Sequence, residues 1–84
     1  MKKSVHSPPQ LMLQSMLRDA RLSAGLTQYD LADKLGRPQS FISKYEAGDR
    51  LLDVVELLTV LRAIGVVPAQ FVASLDEAVN YNGA

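Results

Sequence analysis

Residues 26–48 read LTQYDLADKLGRPQSFISKYEAG, and the punctuation of this stretch decides the fold. Thr27-Gln28-Tyr29-Asp30 is a Thr-x-x-acid capping box: the Thr27 hydroxyl can satisfy an orphan backbone N–H while Asp30 reaches back. Leu31, Ala32 and Leu35 then fall at helical spacing. Gly36 can take the left-handed conformation that ends a helix. A second helix starts almost at once, with Pro38 expected at its first position, Ile42 and Tyr45 as its buried stripe, and Gly48 as its stop. Two helices joined by so tight a link make a helix-turn-helix corner.

The side chains expected to face outward at the start of the second helix are Gln39, Ser40, Ser43 and Lys44, with Arg37 just before them. Solubility alone would be served by Glu and Lys. Gln and Ser both donate and accept hydrogen bonds, which is what reading base edges in a major groove requires. An ordinary two-helix corner with a polar outer face uses the same residues, so the motif by itself leaves both readings open.

The stretch resembles the helix-turn-helix domains of phage repressors, Cro proteins and the wider XRE family of bacterial regulators. The resemblance rests on Arg21, Gly25-Leu26-Thr27-Gln28, Leu31-Ala32, Leu35-Gly36, Gln39-Ser40, Ile42-Ser43-Lys44-Tyr45-Glu46 and Gly48. It continues through Glu56-Leu57-Leu58 to Gly65 and covers residues 11–75. It implies an all-α fold, a compact five-helix lambda-repressor-like domain at residues 8–79, with a flexible arm at 1–7 and a frayed tail at 80–84.

Residue roles follow from the same resemblance. Arg21 is expected to pair with Glu46 and lock the first helix to the end of the recognition helix. Gln28 is expected to hold a phosphate oxygen at the N-terminus of the second helix. Gln39 and Ser40 match the positions that enter the major groove, where Gln39 can bond bidentately to adenine. Lys44 reads guanine or neutralises phosphate, Ser43 contacts the backbone, and Phe41 either touches a thymine methyl or, as expected here, packs against the second helix. Arg37 and Asp49 depart from the usual pattern: Arg37 adds a phosphate contact, whereas Asp49 has the wrong sign for one and Arg50 beside it compensates.

The flanks read as further helices. Ser7-Pro8-Pro9-Gln10 marks a helix start, with Ser7 as cap and Gln10 completing a box. That helix is expected to reach Ala24, with Leu13, Leu17, Ala20 and Ala24 as its stripe, widened by Met16. Asp53-Val54-Val55-Glu56 is an acidic capping box opening an apolar helix from Val54 to Ile64, ended by Gly65, with Leu57, Leu58 and Leu61 expected in the core. Pro68 begins a fifth helix whose one face carries Phe71, Val72, Leu75 and Val79, assigned to core cover and to a homodimer interface.

Composition bounds the function. At 84 residues and 48% hydrophobic content, the chain is expected to form one domain. It has no cysteine, so neither a disulfide framework nor a thiolate metal site is available. No apolar run approaches a membrane span and no signal-peptide pattern is present, so a soluble, cytoplasmic protein is expected. Net charge is zero, yet residues 1–52 hold eight Lys/Arg against five Asp/Glu, and residues 53–84 hold one against four. Such a dipolar chain can present its basic half, which includes Lys2, Lys3 and Arg18, to phosphate. His6 is the only histidine, which is poor material for a metal site or a catalytic base. No cofactor is expected, and enzyme is rejected for want of a Gly-rich phosphate loop or a paired carboxylate site.

The expected function is sequence-specific binding of double-stranded DNA by a small transcriptional regulator, a repressor acting as a homodimer on a palindromic operator. Two alternatives stay open. One is the antitoxin of a toxin–antitoxin pair, whose partner would be the toxin; the other is a protein-interaction module that has lost DNA binding.

Overall fold

The computed structural model describes residues 7–81, with side chains through Asn80. Lys2, Lys3 and His6 in the expected arm, and residues 82–84 of the expected tail, lie outside the described residues. Five helices follow one another, α1 (Pro8–Ser23), α2 (Gln28–Leu35), α3 (Gln39–Ala47), α4 (Val54–Ile64) and α5 (Pro68–Tyr81), with no strand among the described residues. The fifth helix continues through Asn80, whose side-chain amide donates to Asp76 at 3.1 Å, one turn back.

The helix starts follow their capping chemistry. Thr27 Oγ1 accepts from the Asp30 N–H at 3.0 Å, and Asp30 Oδ2 accepts from the Thr27 N–H at 2.9 Å. Asp53 and Glu56 repeat the reciprocal pattern at α4, with bonds of 2.7 and 3.1 Å. Ser7 Oγ accepts from the Gln10 N–H at 3.3 Å. Each such cap removes an orphan donor and contributes about 1 kcal/mol. At α3 the expected boundary shifts by one residue: Pro38 is the N-cap in extended geometry, and the helix begins at Gln39. Proline has no side-chain acceptor to offer a free N–H, so its fixed φ of −64° turns the chain into the helix without a cap bond.

Gly36 makes the corner possible. It lies at φ 65°, ψ 31°, where a Cβ crowds the backbone, and its N–H and that of Arg37 close onto Asp33 and Ala32 carbonyls at the end of α2. Only Arg37 and Pro38 then separate it from α3.

The core is shared by all five helices. Leu17, Leu31, Ile42, Tyr45, Val60 and Leu61 are fully enclosed, with Ala32, Phe41, Ile64 and Phe71 beside them. Burying one such large side chain stabilises the fold by about 1.5–3 kcal/mol. Three assignments from the sequence are corrected here. Ala24 is exposed, because it is the C-cap of α1 and the chain turns away at Gly25. Leu58 is only half-buried and faces a cleft with Arg62, Val67, Pro68 and Val72. The inward stripe of α4 runs through Leu57, Val60, Leu61 and Ile64, and Leu58 sits about 100° round from Leu57. Phe71, assigned to core cover and a dimer face together with Val72, Leu75 and Val79, belongs to the core at 6% exposure; Leu75 and Val79, one and two turns further on the same side, are half-buried, and Val72 is exposed.

Candidate nucleic-acid interface

α1 contributes one buried cation. Arg21 faces inward, and its guanidinium makes a two-pronged bridge to Glu46 in the last turn of α3: Nε to Oε2 at 2.7 Å and Nη2 to Oε1 at 2.9 Å. Its third arm, Nη1, donates to the Leu26 carbonyl at 2.8 Å, just before α2. The two side chains are 7% and 5% exposed. Burial costs each charge its hydration, and the fork geometry compensates by satisfying both carboxylate oxygens at once. The hydrogen bonds to Glu46 raise the Arg21 pKa further, against the opposing effect of burial.

The bridge extends toward the outer face of α3. Glu46 Oε1 also accepts from the Gln28 side-chain amide at 3.0 Å. Gln28 Oε1 in turn accepts from the Gln39 amide nitrogen at 2.7 Å. A single line of hydrogen bonds therefore runs Arg21–Glu46–Gln28–Gln39, from α1 through both ends of α3 and the first residue of α2. Its chemistry leaves specific atoms uncommitted. The Gln28 amide has given one of its two N–H groups to Glu46 and keeps the other. Gln39 has given one N–H to Gln28, which leaves the second N–H and Oε1, the donor–acceptor pair that matches the edge of adenine.

The remaining residues at this face are less tied down. Ser40 and Lys44 are exposed, and Ser43 Oγ donates to the Ser40 carbonyl at 3.2 Å. Lys44 lies one turn beyond Ser40, so the two share a face of α3 with Gln39 at its near end.

Arg37 and Arg50 do not stand free. Both guanidiniums lie against the Phe41 ring, at 4.0 and 4.9 Å from its centroid. Arg50 makes a two-pronged pair with Glu56, Nη1 to Oε1 at 3.0 Å and Nη2 to Oε2 at 2.7 Å, and also donates to the Leu51 carbonyl at 3.3 Å. Arg37 Nη2 reaches Glu56 Oε2 at the looser distance of 3.8 Å. The Arg50 bonds, with the Asp53 N–H second, hold the Glu56 carboxyl down to about 2. Sequence reasoning read Glu56 only as a cap of α4. Its position six residues after Arg50 was the available signal, but nothing in the spacing shows that the intervening loop folds back. Asp49 is exposed, its N–H donating to the Lys44 carbonyl at 2.8 Å.

Tyr45 is the second residue whose chemistry the sequence did not disclose. Its ring is 2% exposed and packs edge-on to Phe41 with centroids 5.5 Å apart. Its hydroxyl is buried with no hydrogen-bond partner among the described residues, and burial pushes its pKa up. Among the described residues no group of three or more His, Cys, Asp or Glu could hold a metal ion, and no single helix is long and apolar enough to cross a membrane.

The family described as Helix-turn-helix matches residues 17–72. Among solved structures, the chain is similar to an XRE-family like protein from Pseudomonas syringae pv. tomato str. DC3000, at 42% identity and a TM-score of 0.83, over 88% of this chain and 90% of that chain. No curated protein matches the chain.

Proposed function

The chain belongs to the XRE-type helix-turn-helix family of DNA-binding transcriptional regulators, and from that premise we propose that it is a repressor that reads a palindromic operator as a homodimer. α3 would lie in the major groove, with Gln39 on adenine, Ser40 beside it and Lys44 on guanine or a phosphate. Gln28, through its uncommitted N–H, and Ser43 and Arg37 would hold the sugar-phosphate backbone. Arg50 is a weaker candidate for that task than its charge suggested, because Glu56 already occupies its fork.

The observation that carries this reading is the 2.7 Å bond from Gln39 to Gln28. It fixes the amide plane of a side chain at the exposed start of α3 before any base arrives, so little rotamer entropy remains to be lost on binding. A solvated polar face has no need of such orientation. Two copies, joined through α5 at the exposed Val72 and the half-buried Leu75 and Val79, would set two α3 helices about 34 Å apart in successive major grooves. Occupying promoter DNA is then sufficient for repression.

The test is selection of bound sequences from a random duplex pool at near-physiological salt. Enrichment of a palindrome with half-sites one helical turn apart supports the proposal and identifies the operator. Absence of any enriched sequence would sink it and leave the antitoxin or interaction-module reading, to be pursued by seeking a protein partner.

A further inference from the structure

α3 is bracketed by two arginines that turn back to one carboxylate. Arg37 lies one residue before its N-cap, Arg50 two residues beyond its closing glycine, and both meet Glu56 and Phe41. The two are held unequally. Arg50 has two hydrogen bonds of 2.7 and 3.0 Å to lose. Arg37 has a charge contact at 3.8 Å, too long for a hydrogen bond, and its side chain is 43% exposed.

We propose that Glu56 is an internal stand-in for a DNA phosphate: it parks Arg37 beside Phe41 in the free protein, and Arg37 exchanges it for a backbone phosphate on the duplex while Arg50 stays. This rests on the DNA-binding reading above and adds a residue that sets affinity without touching DNA. The exchange is favourable at Arg37 because an exposed, loose pair is worth little. A phosphate offers a charge-assisted hydrogen bond and releases a condensed counterion. The Phe41 ring, 4.0 Å from the guanidinium, keeps Arg37 near the entrance of α3 in the meantime. Because the exchange involves phosphate and not bases, Glu56 weakens binding to every duplex alike.

The experiment is a double-mutant cycle read by fluorescence anisotropy on a duplex of scrambled sequence across a range of salt, using the full chain. Glu56→Gln keeps a side-chain oxygen for the Asp53 N–H and so preserves the α4 cap. It should tighten binding by about two- to fivefold, the size of one exposed ion pair. Arg37→Ala should flatten the salt dependence by about one phosphate contact. In the Arg37→Ala background the gain from Glu56→Gln should vanish. A gain that persists there overturns the proposal, because the lost negative charge would then act through the general field or through Arg50. An unchanged affinity for Glu56→Gln overturns it too. Wild-type protein that binds no duplex removes the DNA-binding reading itself. As a check that needs no variant to fold, the Arg37 Nε–Hε resonance of the wild type should shift on adding duplex while that of Arg50 holds; a static Arg37 resonance contradicts the exchange.

Discussion

The side-chain oxygen of Gln28 accepts a hydrogen bond of 2.7 Å from the Gln39 amide, so the residue that would read the first base is oriented by the residue that begins the preceding helix. Replacing Gln28 with Ala should therefore damage base selectivity as well as general affinity. Gln39→Ala should lose discrimination between the selected operator and one mutated at the adenine, by about 1–3 kcal/mol. Gln28→Ala should lose part of the same discrimination, and the double variant no more than Gln39→Ala alone. Competition binding on the two duplexes measures this; equal losses on both would exclude base reading by Gln39.

Breaking the Arg21–Glu46 bridge should cost more than surface ion pairs do. Glu46→Ala leaves a guanidinium enclosed with, among the described residues, only the Leu26 carbonyl as partner, and should destabilise the fold by about 3–5 kcal/mol in urea unfolding. The paired change Arg21→Met with Glu46→Leu removes both charges and should be more stable than Glu46→Ala. A single-variant loss below about 1 kcal/mol would show that solvent screens the pair.

Tyr45→Phe should be neutral or stabilising, by up to about 1 kcal/mol, because the hydroxyl it removes is buried and has no partner among the described residues. The variant should also change the alkaline limb. Burial raises the folded pKa of Tyr45 above the ordinary 10, so the unfolded chain releases this proton first and stability falls as pH rises past 10. That part of the fall should be absent in Tyr45→Phe. Identical alkaline curves would mean that the hydroxyl meets water or a partner.

The acid limb should report Glu56. Its folded-state pKa of about 2 against an ordinary 4.5 means that its contribution is complete above 4.5 and is lost as pH falls toward 2. Thermal melting from neutral pH downward should be less steep for Glu56→Gln than for the wild type. Asp30, whose pKa is lowered by its bonds to Thr27, titrates in both proteins and leaves a common residual slope. A wild-type curve no steeper than that of the variant would contradict the pairing.

The helix boundaries were legible because capping is local chemistry. Thr27 with Asp30, Asp53 with Glu56, and Gly36, Gly48 and Gly65 all do within one turn what their residue types allow. The stripe of α4 was less so: Leu57, Leu58 and Leu61 have the same hydropathy, and only the packing of α4 against α1, α2 and α5 decides that Val60 is enclosed while Leu58 stays half-buried. The Arg21–Glu46 pairing was expected from the resemblance, since 25 residues separate the two and no periodicity connects them. The convergence of Arg37 and Arg50 on Glu56 was not legible, because it depends on a loop path. Nor was the stranded Tyr45 hydroxyl, since a sequence records a polar atom but not the lack of anything to meet it.

The line of hydrogen bonds that ends at Gln39 also divides the proposed reading face by how freely it can be rewritten. Ser40 and Lys44 project from α3 at exposed positions, so new side chains there would retarget the domain to other sequences with little effect on its frame. Gln39 is spliced into the scaffold through Gln28 and Glu46. A library randomised at 40 and 44 should yield many folded proteins of altered preference, whereas one randomised at 39 should yield functional members chiefly when position 28 is varied with it. Evolvability in this domain is thus graded along a single helix.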